Sequence, residues 1–255
     1  MSWSAKQYSA FEDERTRPVR DLVAALPVPS AATVIDLGCG PGNSTEVLAA
    51  RYTGAKVFGI DSSQDMIAAA RTRMPAAQFA VQDIADWQDR GPFDVILANA
   101  VFQWVPHHES LLPDLIQRLT VGGALAVQMP DNLEEPAHQL MRETAAAGPW
   151  GDKLSAASGA RTSLPTAGWY YDLLRPRVSR IDVWRTTYYH VLSGAGAVVE
   201  WFKGSGLRPF LEPLHAGERE AYLERYTGAI ARAYPAAADG RVLLPFPRLF
   251  MIAVR

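Results

Sequence analysis

One short segment constrains this chain more than any other. An apolar run, Thr33-Val34-Ile35-Asp36-Leu37, breaks into Gly38-Cys39-Gly40-Pro41-Gly42 and is followed by Asn43-Ser44 and a helical pattern over Thr45–Arg51. Strand, glycine turn and helix in that order bring bare backbone to the carboxyl edge of a sheet, where open α/β folds bind their ligands. Asn43 and Ser44 are placed to cap the helix. A second apolar run, Lys56–Asp61, ends in another acid, with Ser62 or Ser63 capping the helix after it.

The first half goes on alternating in the same way. Gln78–Val81 and Phe93–Ala98 read as strands three and four, a helix covers Ser110–Leu119, and the Gly122-Gly123 turn leads to a fifth strand, Ala124–Gln128. Strands this apolar, separated by helices, predict a parallel sheet covered on both faces. Beyond Pro130 the pattern changes. Helices are expected over Pro136–Ala147, Ala167–Leu174, Ala195–Lys203 and Gly217–Tyr234, long strands over Ser179–Val191 and Leu243–Val254, and a loop or lid over the Gly-, Ser- and Ala-rich stretch Gly148–Gly159. The expected fold class is α/β: a Rossmann-like, mostly parallel sheet with helices on both faces and a helical cap inserted before the last strand. A single domain, residues 1–255, divides into an N-terminal lid and helix (1–30), a cofactor-binding half (31–130) and a substrate-pocket half (131–255), with the helical insertion near 192–240.

Composition removes several classes. With 25 Lys and Arg against 27 Asp and Glu, the formal charge is −2, which is not the basic excess of a nucleic-acid binder. Cys39 is the sole cysteine, so no disulfide framework exists within the chain. The N-terminus, carrying Lys6, Glu12, Asp13, Glu14 and Arg15, is not a secretory signal, and no apolar run is long enough to span a membrane. The expectation is a cytoplasmic protein with no nucleic-acid and no membrane partner. His107-His108 lacks acids or cysteines at ligand spacing, so no metal is expected.

The glycine loop suits two ligands, a nicotinamide dinucleotide or S-adenosylmethionine, and its details favour the second. The dinucleotide fingerprint G-x-G-x-x-G has its third glycine where Asn43 stands, and Pro41 withdraws an N–H from a pyrophosphate cradle. Asp36 at the strand tip repels a pyrophosphate but suits the amino group of a cationic amino-acid ligand, and Asp61 is placed to accept from ribose hydroxyls. An NAD-dependent oxidoreductase is the disfavoured alternative.

Val34–Gly42, Gly59-Ile60-Asp61, Gln82-Asp83-Ile84 and Phe93–Ala100 together resemble the motifs of the class I S-adenosylmethionine-dependent methyltransferases. The resemblance implies S-adenosylmethionine as cofactor, held by Asp36, Gly38, Gly40, Asn43, Asp61, Ser62, Asp83, Ile84 and Asn99. Further segments extend it over the whole chain, among them Met1-Ser2-Trp3, Gln103-Trp104, Val127–Asn132, Trp184–His190, Gly206–Pro209 and Phe246–Phe250. These are similar to the branch of the family that esterifies small polycarboxylic acids. They imply a small anionic carboxylic acid as substrate, with Trp3, Tyr8, Gln103, Trp104, Tyr188, Tyr189, His190, Arg208 and Arg248 in its pocket and the segment of Trp3, Tyr8 and Phe11 as a lid. Arginine offers a planar bidentate fork to carboxylates, so Arg161, Arg208 and Arg248 are the candidate anchors. A carboxylate acceptor is already ionised at pH 7 and needs no general base, so no catalytic residue beyond positioning groups is expected. Methylation of another small acceptor, or cofactor binding without catalysis, are the competing readings.

Overall fold

A computed structural model describes residues 12–89, 91–159 and 163–255. Its seven-stranded sheet has the order β3-β2-β1-β4-β5-β7-β6. β1 (Thr33–Leu37) is flanked by β2 (Lys56–Asp61) and β4 (Phe93–Asn99), β3 (Gln78–Val81) lies outside β2, and β5 (Leu119–Pro130) lies outside β4; all four of these pairings are parallel. β7 (Val242–Val254) runs antiparallel to β5: Gly122 and Gly123 exchange bonds with Arg255, while Asp131 bonds Pro247. β6 (Arg180–Leu192) is one edge strand and β3 the other. The α/β class and the mostly parallel sheet are those expected.

By its contacts the chain forms two compact units. Among the described residues, the first draws on the ranges 12–130, 165–186 and 249–255, and the second on 131–164 and 187–248. In the first, Val95, Ile96, Leu97 and Ala98 of β4 and Val34 and Leu37 of β1 are fully buried, as strands with two covered faces require. α1 (Glu12–Ala24) buries Val19 and Leu22, and α2 (Asn43–Arg51) and α3 (Gln64–Arg73) follow β1 and β2. Asp94 staples three strands: its Oδ2 accepts from the N–H of Ala32 (2.7 Å) and Thr33 (3.0 Å), and its Oδ1 from the Thr120 hydroxyl (2.9 Å). Burial alone would raise its pKa, but these donors outweigh burial and hold it below the usual carboxylate value.

Two expectations fail here. Gly122-Gly123 is not a turn between helix and strand: β5 already runs from Leu119 and carries the glycines within it. The ladder to β4 slips between Phe93 and Val95, and Gly122 takes φ +82°, which absorbs the extra residues as a bulge. Nor is Gly148–Gly159 a loop, because Gly151–Ser158 forms α6.

The second unit explains α6. α5 (Pro136–Ala147) and α10 (Ala216–Ala233) pack together through tyrosines, Tyr222 donating to the Met141 carbonyl at 2.9 Å and Tyr226 to the Ala137 carbonyl at 3.0 Å. The Ala137 N–H, an orphan donor at the start of α5, is taken by the Tyr234 hydroxyl at 3.0 Å. Trp150 sits at the entry to α6, 1% exposed, with its indole N–H on the Thr144 carbonyl (3.1 Å) and its ring edge-on to Tyr222. Leu154 of α6 is fully buried, so an anchored tryptophan and one leucine hold a helix that its small-residue composition conceals. α8 (Ala195–Lys203) and α9 (Arg208–Leu211) complete this unit; α4 (His108–Gln117) and α7 (Ala167–Leu174) belong to the first.

Candidate functional site

The glycine loop joins β1 to α2 at the carboxyl edge of the parallel strands. Gly38 has φ +68°, and a Cβ there would lie 2.4 Å from Val101 Cγ2, so any side chain is excluded by backbone and by packing. Gly40 also has a left-handed φ, +54°, but a Cβ would meet nothing within 4 Å. Its bare side therefore faces open space, the form of a cradle for a ligand that lies against backbone.

Asp36 lies under this loop with no exposed surface. Its Oδ2 accepts from both the Ser44 and Thr45 hydroxyls at 2.7 Å, while Oδ1 is buried without a partner. Burial pushes the carboxyl up to about 7, against the lowering effect of the two hydroxyls. Ser44 and Thr45 were not foreseen in this role. The helix begins at Asn43 with Gly42 as an N-cap that offers no side-chain bond, so Ser44 does not cap it and turns to Asp36 instead. The signal was available: in a strand–turn–helix unit, the first turn of the helix returns over the strand tip, eight or nine residues on. Asn43 is buried and donates from Nδ2 to Thr16 of α1 (3.2 Å).

Asp61, at the end of β2, closes the loop from the other side. Its Oδ2 accepts from the Gly40 N–H (3.0 Å) and its Oδ1 from the Ser63 N–H (2.9 Å). Burial raises its pKa, opposed by those two donors. Two acceptor positions of the carboxylate remain. Ser63 caps α3, accepting from the Met66 N–H, and leaves Ser62 exposed. Asp83 is exposed and accepts from the Ala85 N–H at 2.9 Å, a turn bond, while Ile84 beside it is buried.

β4 delivers the next group. Asn99 is in register with Gln128 of β5, and two residues from Leu97, the partner of Asp36, so Asp36 and Asn99 lie on one face of the sheet. Asn99 Oδ1 is buried without a donor. The chain then turns through Ala100, at φ +55°, into a single 3₁₀ turn, Phe102–Trp104. Gln103 donates from Nε2 to the Ala100 carbonyl at 2.7 Å, and its Oε1 is buried without a donor. Three acceptor oxygens without donors, on Asp36, Asn99 and Gln103, thus belong to the strand tips of β1 and β4 and the turn that follows. Buried acceptors left unmade cost about 1–3 kcal/mol each, and a ligand bearing an ammonium group and hydroxyls would recover that cost. A polyanionic pyrophosphate would not. These residues fit the amino-acid and ribose ends of S-adenosylmethionine.

In the second unit, His190 stacks on Trp201 at 4.3 Å and lies 5.5 Å from the Phe246 ring, and the Arg248 guanidinium sits 4.7 Å over that same ring. Tyr188, His190 and Arg248 are all buried. Tyr189 is 62% exposed, on the opposite face of β6, so the structure does not bring it to its two neighbours. Arg208 is half-buried and bonds Glu212 one helical turn on (2.8 Å). Trp104 is half-buried. Trp3, Tyr8, Phe11 and Arg161 lie outside the described residues. His107 pairs with Glu109 at 3.3 Å, and His108 is buried on other partners; among the described residues no three His, Cys, Asp or Glu are placed to hold a metal ion. Burial pushes the Cys39 thiol up, away from nucleophilic use. No helix of the described residues is long and apolar enough to cross a membrane.

A family model described as a methyltransferase domain matches residues 34–123. A trans-aconitate 2-methyltransferase of Rhodopseudomonas palustris (strain BisB5) is 55% identical over 253 residues, 99% of each chain. One from Azoarcus sp. (strain BH72) is 52% identical over 254 residues, covering 100% of this chain and 99% of the relative. Among solved structures, the YcgJ protein from Bacillus subtilis aligns with a TM-score of 0.60 at 9% identity, over 94% of this chain and 98% of that one. The plantazolicin methyltransferase BpumL, solved in complex with SAH, aligns with a TM-score of 0.52 at 20% identity, over 98% and 90% of the two chains.

Proposed function

The chain belongs to the trans-aconitate 2-methyltransferase family, and from that premise we propose that it is an S-adenosylmethionine-dependent O-methyltransferase that esterifies one carboxylate of trans-aconitate or a similar small polycarboxylic acid. The observation that carries this reading is identity above 50% along virtually the whole of both chains, so the segments outside the cofactor motifs are shared too.

S-adenosylmethionine, when bound, supplies a methyl carbon on a good sulfonium leaving group. The chain's own residues bind and orient. Asp36 Oδ1 takes the ammonium of the amino-acid end, and the remaining lone pairs of Asp61 take the ribose hydroxyls. Gly40 lets the ligand approach backbone, and Asn43, Ser62, Asp83 and Ile84 belong to the same proposal. The acceptor is a carboxylate with a reference pKa near 4, so no proton has to be removed. Rate then comes from in-line placement and exclusion of water, for which effective molarities of about 10⁵–10⁸ M are attainable. For the acid we propose Arg248, with His190 and Tyr188, as the anchoring group: charge-assisted bonds of roughly 1.5–3 kcal/mol select an anion. Arg208 and Trp104 remain proposals for the same role; Gln103, whose Nε2 is committed to Ala100, is proposed to line the pocket without bonding the acid's carboxylates.

Mass spectrometry of the product formed from trans-aconitate and S-adenosylmethionine tests the reading. A monomethyl ester is expected, and Arg248→Ala should raise the acid's KM. Turnover confined to amines or phenols overturns it.

A further inference from the structure

The first unit holds a buried chain of bonds outside the groups assigned above. His108, first residue of α4, uses both ring nitrogens: Nε2 lies 2.9 Å from the Phe102 carbonyl and Nδ1 lies 2.8 Å from the Tyr170 hydroxyl of α7. The carbonyl can only accept, so Nε2 carries the hydrogen. In the tautomer that carries its hydrogen on Nε2, Nδ1 is bare and accepts the Tyr170 hydroxyl hydrogen. Met129 Sδ, 4.0 Å from the same hydroxyl, is the weaker acceptor. Tyr170 is fully buried and His108 is 7% exposed, so water does not compete. The ring of His108 also packs 6.0 Å from that of Phe102.

Phe102 opens the 3₁₀ turn whose middle residue is Gln103. A single turn of that kind has few bonds of its own, yet here it must hold an amide whose Nε2 is committed to Ala100 and whose Oε1 is kept without a donor. We propose that His108 and Tyr170 are positioning residues that set the Phe102–Trp104 turn, and through it aim Gln103 Oε1 at the bound reactants. This rests on the methyltransferase reading and deepens it: α7, whose Tyr170 lies 67 residues beyond Gln103 and belongs to no cofactor motif, becomes part of the machinery that governs transfer efficiency.

A double-mutant cycle tests it. Tyr170→Phe removes one hydroxyl and keeps the ring; Gln103→Leu removes the aimed oxygen. In the full-length enzyme with trans-aconitate, Tyr170→Phe should lower kcat/KM about tenfold, since ångström displacements cost up to about 10²-fold. The melting temperature should fall by no more than about 4 °C. In the Gln103→Leu background the same change should cost less than about twofold, the non-additivity of residues acting as one unit. His108→Gln, which preserves a donor toward Phe102, should retain more activity than His108→Ala. Additive losses in the cycle, or a Tyr170→Phe enzyme with unaltered kcat/KM, overturn the proposal while leaving the function standing. A wild-type enzyme that methylates no acid overturns both.

Discussion

At the scale of single residues, the decisive group is Asp36. A carboxyl with no exposed surface and one oxygen without a donor is poorly suited to carry charge, and burial raises its pKa from 3.8 to about 7. The folded protein therefore holds a proton that the unfolded chain releases between those values. The stabilisation is fully present below pH 3.8 and is lost as the pH rises through about 7. Denaturant titration should find Asp36→Asn gaining stability relative to wild type across that window and levelling above it, by a few kcal/mol at most, at about 1.4 kcal/mol per pH unit. A ligand ammonium placed at Oδ1 reverses the balance and expels the proton. Calorimetric binding of S-adenosylhomocysteine near pH 6.5 should therefore show proton release, read as a dependence on buffer ionisation enthalpy that Asp36→Asn abolishes. Heats independent of buffer would refute the pairing. The acid and the glycines were legible because spacing alone places them at a strand tip. The Tyr188-Tyr189-His190 triplet was legible only in part: strand alternation dictates that the middle residue departs from the other two, but not which face is covered. The His108–Tyr170 bond was not legible, because 62 residues separate its partners and neither neighbourhood carries a mark of it.

At the scale of elements, β1 to β4 could be read within a residue of their ends: β1 and β4, buried on both faces, write themselves as unbroken apolar runs, while the half-exposed β2 and β3 are short apolar runs set between helical patterns. β5 and α6 could not. The glycine pair in β5 serves a bulge rather than a turn, and the choice is made by β4 and the Arg255 backbone on its two sides. α6 is made by Trp150, whose ring also accepts the Arg225 guanidinium at 5.3 Å. A Cβ on Gly148 would fall within 2.2 Å of that indole, which explains the glycine that disguised the segment as a loop. Trp150→Ala should cost about 3–5 kcal/mol, the range for emptying a core tryptophan site. Limited trypsinolysis should then cut at Lys153, which in the intact helix pairs with Glu218. A variant as protease-resistant as the parent would show that α6 does not depend on the ring.

At the scale of the molecule, the residues proposed to hold the cofactor and the aromatic–cation cluster fall in different compact units, each with its own buried core. Ligand binding to the first unit must appear in its stability. S-adenosylhomocysteine at 100 times its Kd should add about 2.7 kcal/mol to unfolding. For a chain of 255 residues this raises Tm by roughly 5–10 °C at about 2–4 °C per kcal/mol. Hydrogen exchange should slow most in the amides of Gly38–Ser44 and Ile60–Ser63; protection spread evenly over both units would contradict a cofactor site confined to the strand tips of the first.

The order of strands has a consequence in time. Space runs β5, β7, β6, whereas synthesis runs β5, β6, β7. When β6 leaves the ribosome, the strand destined to lie between it and the rest of the sheet has not been made. For the fifty residues from Ser193 to Val242 it waits with both edges open. Long-range pairings of this kind are the slow step of sheet assembly, and β7 arrives as a wedge that closes two seams at once. A nascent chain stalled before Val242 therefore carries every glycine and acid of the cofactor loop, yet its sheet is still in two pieces.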